Sequence, residues 1–162
     1  MRLLARLLLL WAPGGVRARA AGEMSADLNA LVVEKLSAAS AECLATYREA
    51  AFEAGRRAAG RLQSRLGLAR TFKDCELAWR LVTKFSGMSF YVEKENARSV
   101  FVHTKCPVLE AGGPETCRNF CRPFVEGLTA GFSPDFGVEV LEEARGARPC
   151  RKALLLERPD DD

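Results

Sequence analysis

The chain has few of the groups that most catalytic motifs require. Its 162 residues include one histidine, His103, and no Gly-x-Ser-x-Gly elbow, so a Ser-His-Asp relay has little support. There is no phosphate-cradling Gly-rich loop and no dinucleotide fingerprint. No apolar run approaches the roughly 20 residues that cross a bilayer, so no membrane span is expected. A surplus of one charge is also missing from the body of the chain. The net +3 is accounted for by residues 1–23, where Arg2, Arg6, Arg17 and Arg19 face Glu23 alone. From Met24 onward 20 basic residues balance 20 acidic ones. A neutral body presents no electrostatic footprint for nucleic acid. Internal repeats and low-complexity blocks are absent.

What is present is a real core and six cysteines. Hydrophobic residues make up 48% of the chain, enough for one buried domain. Cys106, Cys117 and Cys121 crowd together, Cys150 follows beside a turn, and Cys43 and Cys75 lie alone in helical stretches. Secreted disulfide scaffolds are cysteine-dense throughout. A cluster with one distant thiol reads instead as a metal site or a set of reactive thiols.

The expected organisation is a 1–23 extension, a single ligand-binding-type domain over 24–157, and an acidic tail over 158–162. Three readings remain open for residues 1–23: a signal peptide, an Arg-rich organellar presequence, or an upstream extension ahead of a start at Met24. The third is preferred. Residues 25–66 read as helix, with Ser25 as cap and a bend near Ser37–Ser40. The small-residue stripe Ala51, Gly55 and Ala58 lets another backbone come close. It is assigned to a homodimer, with ordinary helix packing inside the domain, against the next helix for example, as the alternative. That next helix runs over Phe72–Phe85, where Cys75 reads as a small buried hydrophobe.

The periodicity then changes to two. Ser89–Lys94 and Ser99–Lys105 form a β-hairpin. Strand parity places Phe101, His103 and Lys105 on one face, turned away from Cys106. Pro107 is expected to end the strand, with a loop at Ala111–Gly113. A short turn or kinked helix over Pro114–Cys121 leads to a helix over Arg122–Phe132, because Pro123 disfavours a straight one. Strands over Phe136–Glu143 and Cys150–Leu156 complete the domain. The predicted fold is α+β: an antiparallel sheet of about four strands with helices packed on one face, after a long N-terminal helical segment.

Cys117 and Cys121 are four apart and precede a helix start, where dipole and free N–H groups favour thiolate. With Cys106 they suit Zn²⁺ if a fourth ligand closes the site. Buried thiols without metal, and a disulfide across the cluster, are the competing readings. Glu139, Glu142 and Glu143 read as an exposed strand face.

The C-terminal half resembles a known family. Gly127-Leu-Thr-Ala-Gly-Phe132, then Val138-Glu-Val-Leu-Glu142, then Gly146-x-x-x-Cys150 before an apolar strand, is similar to the 4-vinyl reductase domain family. The Cys-Pro…Cys-x-x-x-Cys section also resembles prokaryotic relatives of L-2-amino-thiazoline-4-carboxylic acid hydrolase and methanogen-type sensory output domains. The resemblance covers about residues 70–157 and implies a dimeric α/β ligand-binding domain with zinc beside the ligand cavity. Carried over, the zinc set includes Cys117 or Cys121, Glu139 and Cys150. Glu142 stands where the family has a further cysteine, a gap that Cys106 or Cys121 would fill.

The expected function is a cytoplasmic small-molecule-binding or sensory domain without catalysis of its own. Its expected cofactor is zinc, with an iron–sulfur cluster as the lesser alternative, held by Cys106, Cys117, Cys121, Cys150 and Glu139. The expected partners are a small apolar ligand, a second copy of the chain, and a protein that receives the signal. Two alternatives remain: a cysteine-dependent hydrolase of the thiazoline-carboxylate type, and a secreted disulfide-bonded protein exported through residues 1–21.

Overall fold

A computed structural model describes residues 41–143 and 149–157. The expected extension at 1–23, the helix start at Ser25, the bend near Ser37–Ser40, most of the turn before Cys150 and the tail at 158–162 lie outside the described residues. The elements are α1 (Ala41–Leu66), α2 (Phe72–Phe85), β1 (Ser89–Glu95) and β2 (Arg98–Lys105). Then follow α3 (Pro107–Thr116), a π-helical turn (Cys117–Cys121), α4 (Arg122–Ala130), β3 (Gly137–Glu142) and β4 (Cys150–Leu155). The four strands form one antiparallel sheet in the order β1-β2-β4-β3, as the α+β reading predicts.

α2 carries its own start signal. The Thr71 side chain accepts the Asp74 N–H at 3.3 Å, and Asp74 Oδ2 accepts the Ala69 N–H at 2.7 Å. Its apolar side, Cys75, Ala78, Trp79 and Leu81, is buried against the sheet. Trp79 meets Phe101 of β2 with ring centroids 4.9 Å apart. Cys75 is fully buried in this core, as expected for a small hydrophobe. On the opposite sheet face Val100, Val102 and Ala153 form a second, smaller apolar cluster.

α1 packs on α4, and the small-residue stripe is used there, inside the chain. A Cβ at Gly55 would lie 2.1 Å from the Phe124 carbonyl oxygen, and one at Gly127 would lie 1.9 Å from that of Phe52. Ala51 and Ala59 are buried with them. The stripe assigned to a second copy is therefore covered by α4, and its partner is not α2 either. The physical reason is the matching glycine on α4: two backbones approach only where both faces lack a side chain.

β2 ends at Lys105, ahead of Pro107 as expected, and Pro107 then opens α3 at its first position, where a missing N–H costs nothing. The expected loop shrinks to Gly113, whose φ of 65° breaks the helix just before Pro114. Further on, the Arg122 N–H reaches back to the Cys117 carbonyl, closing one π turn. That wider turn feeds α4 directly, with Pro123 in its first turn.

Candidate functional site

The π turn and the start of β4 bring the cysteines together around a lysine. On β4, Cys150, Lys152 and Leu154 alternate onto the helix-covered face, with Arg151 and Ala153 on the other. Lys152 is only 3% exposed. Its Nζ donates to Cys121 Sγ at 3.0 Å. The Cys117 thiol interacts with both Cys121 and Cys150 and shifts their proton affinities. Cys106 faces the same group, coupled electrostatically to Cys121 and Lys152. The structure thus gathers Cys106, Cys117, Cys121 and Cys150.

Glu139 is not brought to them. It pairs across the ladder with Ala153, on the outer face, and its carboxylate lies 3.6 Å from Arg98. Glu142 sits opposite Arg151 near the end of β3. Cys43 is exposed on α1, and all six cysteines are free thiols.

A buried ammonium needs an anion. Burial lowers the Lys152 pKa, but the negative character of Cys121, Cys117 and Cys150 outweighs it, and the net shift is upward. The thiols divide the load unequally. The Cys117 contact and burial push Cys121 up, against the pull of Lys152. In Cys117 the Cys121 contact lowers the pKa, but the Cys150 contact and burial carry it up. Burial likewise raises Cys106. Cys150 goes the other way, because its contact with Cys117, helped by Lys152, prevails over burial. Cys150 is thus the thiol poised to carry the charge that balances Lys152.

His103 completes the arrangement. It lies opposite Cys150 in the β2–β4 ladder and is buried on the helix side. The parity of β2 is as the sequence suggests. However, Cys106 leaves the strand in an extended conformation ahead of α3, so His103 and Cys106 share the neighbours Cys121 and Lys152. Burial, then Lys152, push the His103 pKa down to about 4, so the ring is neutral at pH 7. Nδ1 is a buried side-chain atom without a hydrogen-bond partner among the described residues.

These polar groups stand at the wall of a cavity of about 190 Å³. Apolar side chains line most of it, including Trp79, Val82, Val108, Phe120 and Phe124, and His103, Cys121 and Lys152 supply the polar end. The Trp79 indole is held by its Nε1–H, which donates to Thr129 Oγ1 at 2.9 Å. Asn119 fixes the π turn from behind. Its Oδ1 accepts from Arg48 Nε at 2.7 Å, and its amide donates to the Glu115 carbonyl. Sequence reasoning missed Lys152 and Asn119. Alternation along Cys150–Leu154 would have found the lysine, since it shares a parity with Cys150 and Leu154.

Zinc or an iron–sulfur cluster needs three or four donors placed to share one ion or cluster. Among the described residues no group of three or more His, Cys, Asp or Glu that could hold a metal ion is found. The thiols meet a lysine ammonium instead, a cation already inside their cluster. No helix among the described residues is long and apolar enough to cross a membrane. Comparison with family models, curated proteins and solved structures finds no match, so the site is read from its own chemistry.

Proposed function

We propose that this domain binds a small, largely apolar molecule in the cavity between α2, the π turn with α4, and the sheet. The observation that carries this reading is the polar end of that cavity. His103, Cys121 and Lys152 line that end, against otherwise apolar walls. Binding pockets combine apolar walls with a few convergent polar groups. A dry cavity of about 150 Å³ already holds benzene, so about 190 Å³ suits a single ring with a short substituent. A hydroxyl on that substituent would meet the polar end formed by His103, Cys121 and Lys152. The short-motif resemblance to ligand-binding sensory domains points the same way. In a sensory role, occupancy would pass to a protein partner through α2 or α4, which wall the cavity.

Titration calorimetry with toluene and with benzyl alcohol tests the reading. Both should bind, benzyl alcohol about tenfold more tightly because a hydrogen bond to a charged group adds roughly 1.5 kcal/mol. Val125→Phe, which fills the cavity, should abolish both. Absence of binding by either compound to the folded wild type would overturn the proposal.

A second reading, a cysteine-dependent hydrolase, is favoured by the contact of Cys121 with Lys152 at the cavity wall. Turnover of 2-aminothiazoline-4-carboxylate that iodoacetamide abolishes would establish it in place of the first.

A further inference from the structure

The thiol cluster opens in two directions. Cys121 faces the apolar cavity. Cys117 and Cys150 line a separate crevice of about 10 Å³, roofed by Arg118 and Arg122 and walled by Leu109 and Val140. That space is close to the size of one water molecule. Two thiols therefore share a narrow opening, and the buried Lys152 lies on the same strand as one of them.

We propose that Cys150 and Cys117 form a peroxide-reactive dithiol that closes to a disulfide between β4 and the π turn. The substrate class is a small peroxide, and hydrogen peroxide, the smallest, is the best match to the crevice. In the first step the Cys150 thiolate attacks one peroxide oxygen. An S–O bond forms, the O–O bond breaks, and the departing oxygen takes a proton and leaves as water or alcohol. Cys150 is then a sulfenic acid. In the second step the Cys117 sulfur attacks the Cys150 sulfur. An S–S bond forms, the S–O bond breaks, and the hydroxyl leaves as water with the Cys117 proton. Two electrons pass from the two thiols to the peroxide, which is the oxidant consumed.

Position assigns the roles. Cys150 lies two residues from Lys152 on the same face of β4, so the lysine stabilises the attacking anion and the developing negative charge on the leaving oxygen. Cys117 lines the same crevice as Cys150, which places it as the resolving thiol. Cys121 lies on the cavity side and makes the direct contact with Lys152. Cys75 is sealed in the core, where burial pushes its pKa up to about 12. Cys43 is exposed on α1 and lies outside the cluster.

The test uses the full chain carrying Cys43→Ser, which removes the exposed thiol and leaves five. After hydrogen peroxide treatment under native conditions, two further thiols should be lost per chain. Non-reducing peptide mapping should join the Cys117 peptide to the Cys150 peptide, and dithiothreitol should reverse the link. With Cys117→Ser added, no link should form and dimedone should label Cys150. Retention of all five thiols would overturn the proposal, as would a link mapped to another pair or dimedone label confined to Cys106 or Cys121. Mapping in the background that keeps both Cys117 and Cys150 decides the matter even if the double variant misfolds. The chemistry needs nothing in the cavity, so this outcome is separable from toluene binding.

Discussion

Lys152 Nζ lies 3.0 Å from Cys121 Sγ in a position that is 3% exposed. An ammonium at that depth is tolerated because its neighbours are thiols. A thiol can carry the balancing charge or give it up by taking a proton. A carboxylate in the same place would remain charged if the lysine were removed.

Lys152→Met should therefore stabilise the domain. Replacing a buried ion pair by an apolar side chain of similar volume commonly adds about 1–4 kcal/mol. Here the thiols return to neutral and no orphan charge remains, so a gain of about 2 kcal/mol is expected by urea unfolding. Iodoacetamide should alkylate Cys150 more slowly in the same variant, since its thiolate loses the lysine. A loss of stability, with alkylation unchanged, would show that the lysine is not paired with the thiols.

His103 makes stability depend on pH. Its folded pKa, about 4, lies below the unfolded value near 6.5. A depressed folded pKa means the unfolded chain binds the proton first. The contribution is thus fully present above about pH 6.5 and lost as pH falls toward 4. The groups facing the ring are Lys152, Cys121 and the Cys150 backbone. The loss should reach about 3 kcal/mol across that window. His103→Gln should flatten this part of the profile in chemical denaturation at successive pH values.

The helix pair α1–α4 predicts opposite outcomes for two similar substitutions. Gly127→Ala drives a Cβ to within 1.9 Å of the Phe52 carbonyl oxygen, so the helices must part. A loss of about 3 kcal/mol is expected, at the upper end for overpacking. Gly60→Ala on the same α1 meets nothing within 4 Å. It should gain about 0.5–1 kcal/mol from helix propensity and a less flexible unfolded chain. Thermal unfolding of the two variants should move in opposite directions.

Thr129→Val tests the anchor beneath the cavity. The substitution keeps the volume but leaves the Trp79 Nε1–H, which donates to Thr129 Oγ1 at 2.9 Å, without its acceptor. A buried donor left unpaired costs about 1–3 kcal/mol. Tryptophan emission should shift together with the unfolding midpoint. An unchanged midpoint would mean the indole finds another acceptor at no cost.

Much of the architecture was legible in the sequence. The Phe72–Phe85 helix has its cap at Thr71 and its apolar face at 3.6 spacing, and the strands of the first hairpin alternate roughly by twos, although β2 is buried on both faces from Ser99 to His103. These signals act over a few residues, so they survive without tertiary context. The segment after Lys105 was less legible. Pro107 ends a strand and can also open a helix, and only the chain that follows decides the second. The site was half legible. The four clustered cysteines do converge, but Glu139 shares the outer sheet face with Ala153 and meets Arg98 instead. Its distance from the thiols follows from strand parity combined with a register that the sequence does not print.

Local chemistry alone determined most helices and strands, the Pro107–Gly113 segment excepted, that the sheet is antiparallel, and that Cys117 and Cys121 share a side of one turn. Only the tertiary structure decided what those thiols face. The β2–β4 ladder sets His103 against Cys150, and the seating of the π turn over β4 places Cys121 against Lys152. It also decided that the small-residue stripe of α1 meets α4 rather than a second copy. Both results depend on contacts between residues far apart in the chain. Periodicity specifies which face of an element is apolar or small, but not which other face will cover it. That choice is made when the elements close on one another and each buried polar group must find a partner.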